Sequence, residues 1–153
     1  GAGRGMLAGY AGRIGLAILI GHGTLDEARK ALELLASGAE IKQVGLTVYR
    51  SDPLQVSAMT LTASGLNRDA AFGTVSYSLG DRSHQLKILQ NQEQRSWLSA
   101  FSILEGVRTG TLSNVDPEFW ETLGISNDAG ERDQAAKDLK KLMRLGHGWG
   151  WLA

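Results

Sequence analysis

Cysteine is absent from the chain. That excludes disulfides, thiolate nucleophiles and cysteine-ligated zinc. It agrees with a reducing compartment, so a cytoplasmic location is the expectation. Proline is scarce, with 2 residues, which excludes Pro-rich linkers. An excess of charge of one sign is missing too, because 16 basic residues balance 16 acidic ones. A dedicated nucleic-acid binder is more often basic. Near-zero net charge also gives little repulsion between copies, which suits a protein that sits in an assembly. No apolar run is long enough to span a membrane. The nearest, Met6–Ile20, carries Arg13 in its middle and is broken by Gly9, Gly12 and Gly15. No secretory signal pattern is visible.

What remains is ordinary globular composition, 42% hydrophobic and 21% charged over 153 residues, which predicts one domain spanning 1–153. Glycine is unevenly spread: residues 1–23 hold 8 of the 20 glycines and form an apolar N-terminal segment. Within it, the run Leu16–Ile20 reads equally as a buried strand or a buried helical turn.

Thr24-Leu25-Asp26-Glu27 matches a capping box and starts a helix over about 25–37, ended by Gly38. Its expected apolar stripe is Leu25, Ala28, Leu32 and Leu35, widened by Ala31 and Leu34. From 44 to 90 the pattern changes to alternation. Val44, Leu46 and Val48 read as a first strand, and Leu54–Ala63 as a second with a bulge near Ser57–Ala58. Val75, Tyr77 and Leu79 read as a third, and Leu86 and Ile88 as a fourth. Ser51-Asp52-Pro53, Gly65–Asp69 and Gly80–Ser83 read as the turns between them. Residues 91–146 return to helical spacing. Asn91 caps one helix, Asp116-Pro117 starts a second, and a third runs over about 129–145. The tail 147–153 is Trp- and Gly-rich. Segregated strands and helices predict an α+β domain: a four-stranded antiparallel meander sheet packed by about four helices.

Five groups of residues are candidate sites. Gly21-His22-Gly23 before the capped helix could present backbone N–H groups to an anion, although Asp26 stands where a dinucleotide motif has glycine. His22, His84 and His147 could act with Asp26, but no pair has metal-ligand spacing, so no metal or other cofactor is expected. Glu93, Glu105, Asp116, Glu118 and Glu121 supply carboxylates for acid–base work, and no Gly-x-Ser-x-Gly elbow accompanies the serines. Lys137, Lys140, Lys141 and Arg144 form a basic stripe on the last helix, able to meet phosphates or an acidic partner. Trp149, Trp151 and Leu152, with Tyr10 at the other end, are apolar groups suited to contact with a partner protein. The expectation is a non-enzymatic, self-associating or partner-binding domain, such as a structural component of a virus, phage or secretion machine. The alternatives are an effector- or toxin-type hydrolase using His22, Asp26 and His147, and an anion or nucleic-acid binder working through the last helix.

Overall fold

The computed structural model describes residues 2–126 and 128–146, with side chains over 9–126 and 128–142. Among the described residues every regular element is a helix. The helices are α1 (Ala2–His22), α2 (Leu25–Ala36), α3 (Ile41–Tyr49), α4 (Pro53–Ala63), α5 (Arg68–Ser78), α6 (Arg82–Ile88), α7 (Gln92–Thr109), α8 (Pro117–Thr122) and α9 (Ala129–Gly146). A 3-10 turn, Leu112–Asn114, joins α7 to α8. The expected α+β fold with an antiparallel sheet is therefore wrong. Segment 44–90 holds α3 to α6 where four strands were expected, and α1 resolves the strand-or-helix ambiguity at Leu16–Ile20.

The error has a specific chemistry. Each segment read as a hairpin turn is a helix stop followed by a helix start. Gly65 takes φ +67° and donates its N–H to the Thr62 carbonyl, while Leu66 donates to the Leu61 carbonyl. That pair of bonds is a Schellman stop. Two residues on, the Asn67 side chain accepts from the Asp69 and Ala70 N–H groups and starts α5. Asp52 likewise accepts from the Leu54 N–H, with Pro53 in the first turn of α4. This is the arrangement at Asp116-Pro117, where Asp116 accepts from the Glu118 N–H. Asp81 caps α6 through the His84 N–H.

The threonines in these segments are accommodated in the helix, because their hydroxyls bond back along it. Thr60 donates to the Val56 carbonyl, Thr62 to Ala58 and Thr74 to Ala70. This back-bonding is a familiar accommodation of threonine within helices.

The core is built with small residues. Helix α4 buries Leu54, Ser57, Ala58 and Leu61, and α5 buries Ala70, Ala71, Thr74 and Tyr77. Both are helical spacings that emerge only when Ser, Thr and Ala count as interior. The expected bulge at Ser57–Ala58 is instead the crossing of α1 over α4. There the Gly15 N–H donates to Ser57 Oγ at 2.8 Å, a buried bond between helices. Helix α7 runs through the middle, burying Trp97, Leu98, Phe101, Ile103 and Val107. It touches α1, α5, α6, α8, α9 and the 3-10 turn.

Several local expectations hold. The Thr24–Glu27 capping box forms, with Glu27 N–H on Thr24 Oγ1 at 3.3 Å and Thr24 N–H on Glu27 Oε2 at 2.7 Å. Asn91 caps α7 by accepting from the Glu93 and Gln94 N–H groups. The apolar stripe expected on α2 holds in part: Ala31 is buried and Leu34 and Leu35 pack against the core, but Leu25 and Leu32 do not. Ala31 is its fully buried residue, while Leu25 and Leu32 are 76% and 54% exposed. No described helix is long and apolar enough to cross a membrane.

Candidate functional site

The helix ends converge on a network of charged and polar groups. Glu105 of α7 forms a two-bonded ion pair with Arg108, through Nη2 to Oε1 at 2.6 Å and Nε to Oε2 at 2.9 Å. Both side chains are only 12% exposed. Glu105 also accepts the Ile41 N–H at 3.0 Å, and Arg108 donates to the Ala39 carbonyl. The side chain of Glu40, the N-cap residue of α3, makes no capping bond. A glutamate from another helix therefore satisfies the start of α3.

A second set lies at the far end of α5. Ser78 donates its hydroxyl to Asp52, Lys42 donates to the Ser78 carbonyl, and Lys42 Nζ lies 3.8 Å from Asp52 Oδ2. Lysine at a helix C-terminus complements the carbonyl end of the helix dipole. Between the two sets, Arg82 pairs with Glu40 at 3.2 Å and lies over the Tyr77 ring, its guanidinium carbon 3.9 Å from the centroid. The Tyr77 hydroxyl is buried and has no hydrogen-bond partner. Burial pushes its phenol well above the usual range, an effect that the nearby Arg82 charge only partly opposes.

Arg82 also reaches a cavity of about 330 Å3, lined by Gly80, Asp81, Ser83, Ser102, Asn114, Val115, Asp116 and Phe119 besides Arg82 itself. That volume is at the small end for ligand pockets, which run from about 300 to 1,000 Å3. Several of its polar groups are already engaged. Ser83 Oγ donates to Asp116 Oδ2 at 3.2 Å, and Asp116 Oδ1 holds the start of α8. Asp81, at φ +35°, caps α6 through Oδ1. The Ser83–Asp116 pair has the serine and acid of a hydrolytic triad, but they bond directly to each other. A working triad places an imidazole between them. The bond ties the first turn of α6 to the N-cap residue of α8.

The sequence-predicted residues fall mostly elsewhere. His22 ends α1 and is exposed, and Asp26 pairs with Arg29 at 3.3 Å on the outside of α2. His84 is exposed on α6, and no group of three metal-binding side chains occurs among the described residues. Of the carboxylates, Glu105 is the interhelical cap, Asp116 a helix cap and Glu118 a partner of Arg95 at 3.6 Å. Lys137, Lys140 and Lys141 are exposed on α9, and Tyr10 is 53% exposed on α1. Arg144 lies within α9, with its side chain outside the described residues, as are His147, Trp149, Trp151 and Leu152.

Sequence reasoning missed Glu40, Asp52, Tyr77, Ser78, Arg82 and Arg108. Asp52 before Pro53 was the available signal, since the same Asp-Pro pair at 116–117 was read as a helix start. Comparison with family models, curated proteins and solved structures finds no match to this chain.

Proposed function

We propose that this chain is a non-catalytic helical module that associates with itself or with another protein, as a structural part of a larger machine such as a virus, phage or secretion apparatus. The observation that carries the reading is the placement of large apolar side chains on outer helix faces. Leu25 is 76% exposed, Met59 72%, Leu142 63% and Leu79 62%. Scattered exposed leucines are normal on a monomer. Four at this level, each on a different element or its cap, fit a protein whose helices meet further partners. The candidate reactive groups point the same way, because Glu105, Asp116 and Ser83 are engaged in bonds that tie or start helices. Sedimentation across a concentration series tests the reading: growing mass with concentration supports it, and a constant monomer mass rejects self-association.

A second reading is favoured by one observation, the shared exposure of Lys137, Lys140 and Lys141 on α9. Those cations suit an anionic partner, with affinity that falls as salt rises. Titration with a polyanion such as heparin at two salt concentrations tests it, and salt-insensitive or absent binding rejects it.

A further inference from the structure

We propose that the outer face of α2 is a self-association surface, occupied by α2 of a second copy running antiparallel. The inference rests on the reading above that the chain assembles, and it names the partner and the place.

At about 100° per residue, Leu25, Leu32 and Ala36 fall within an arc of about 40° on α2. All three are exposed, while Leu34 on the opposite side packs against the core and Ala31, about 120° round from the stripe, is buried in it. Arg29 lies beside this stripe and is drawn aside by its ion pair with Asp26 at 3.3 Å. One flank of the stripe carries Asp26, Arg29, Lys30 and Glu33, all exposed. In chain order these are acid, base, base, acid.

That order selects the pairing. A parallel second helix related by a two-fold would carry its charged flank to the other side of the seam, so these charges would find no partner among their copies. An antiparallel helix centred between Arg29 and Lys30 would set acid on acid and base on base. Moving the two-fold axis to the level of Ala31 sets Arg29 opposite Glu33 of the second copy, twice by symmetry. It also brings the two Leu32 side chains together at the axis. The interface is then the same patch on both subunits, as a two-fold dimer requires. A 12-residue helix offers a short seam, so the association is weak and concentration-dependent.

The test is sedimentation velocity on the full chain from micromolar concentration to the solubility limit, with circular dichroism verifying the fold of each variant. The wild type is expected to form dimers. Leu32→Glu is expected to raise the dissociation constant about tenfold or more. Arg29→Glu and Glu33→Arg are each expected to weaken the dimer, and the double variant to recover it, because the swapped charges face each other again. A dimer indifferent to Leu32→Glu overturns the α2 assignment and leaves the assembly reading standing. Single-variant losses without recovery in the double overturn the antiparallel second copy as occupant. A wild type that stays monomeric throughout overturns both the assignment and the self-association reading.

Discussion

At the scale of single residues, close approach and buried charge carry the sharpest consequences. A methyl at Gly15 would overlap the Pro53 carbonyl oxygen and stand 2.7 Å from both the nitrogen and the hydroxyl of Ser57. Backbone atoms cannot step aside as a flexible side chain can. Gly15→Ala is therefore expected to cost about 1–3 kcal/mol or more, the usual range for overpacking. Urea denaturation would measure it, and an unchanged midpoint would contradict the tight α1–α4 crossing. Glu105→Ala removes the cap of α3 and leaves Arg108 buried without its carboxylate. Breaking one side of a buried pair costs about 3–5 kcal/mol, so this variant should fall near the unfolding threshold.

Tyr77 belongs to the same scale. Its phenol is raised by burial, so the folded state keeps a proton that the unfolded chain gives up near pH 10. Its stabilising contribution is whole below the unfolded value and is lost as pH climbs above it. Tyr49, raised by burial and then by Glu27, shifts in the same direction. Tyr77→Phe should flatten the loss of stability between pH 9 and about 11. At neutral pH it should be near neutral, since the hydroxyl it removes has no partner. A variant as alkali-sensitive as the wild type would show that another group governs the alkaline limb.

At the scale of elements, helix ends decide what forms. Thr24→Ala should cost about 1 kcal/mol, the usual worth of an N-cap. The penalty should shrink in acid. The Glu27 carboxylate is held below its ordinary value by the Thr24 backbone and side-chain bonds. Its contribution is present above the unfolded value and disappears as pH falls through the folded one. Comparing wild type and variant melts at neutral pH and near pH 3 checks this. Asp52 does more work than Thr24, because one carboxylate starts α4, accepts the Ser78 hydroxyl and faces Lys42. Its loss should exceed that of the Thr24 cap.

At the scale of the whole molecule, the helices are unequally held. Helix α7 buries eight of its residues and packs on most of the other elements. Among its described side chains, helix α9 offers only Ala135, Ala136 and Leu139, all half-buried, to the core, with Leu142 outside. Amides with few buried neighbours open at low free energy. In hydrogen-exchange mass spectrometry, α9 peptides should exchange well before α7 peptides. Equal protection would mean that α9 is held by contacts of another kind, such as a partner in solution.

Local chemistry was legible in the sequence wherever one residue answers its neighbours in the chain. The Thr24–Glu27 box, the Asn91 cap, the Asp116-Pro117 start and the aromatic face of α7 all follow from interactions within a turn or two. The difference between a sheet and a helical array did not. Gly65 before Asn67, and Gly80 before Asp81, satisfy a hairpin turn and a helix–helix junction equally well. Val, Thr and Tyr at alternate positions fit either period over seven residues. What decided was packing: Gly15 lying on Ser57, Gly73 against Trp97, and Glu105 reaching across to the Ile41 N–H. These contacts join residues 24 to 64 positions apart, and their energy exists only once the helices have met. The same reason governs the surface of α2. Its apolar stripe was plain in the sequence, but only the rotation imposed by burying Ala31 turned Leu25 and Leu32 outward.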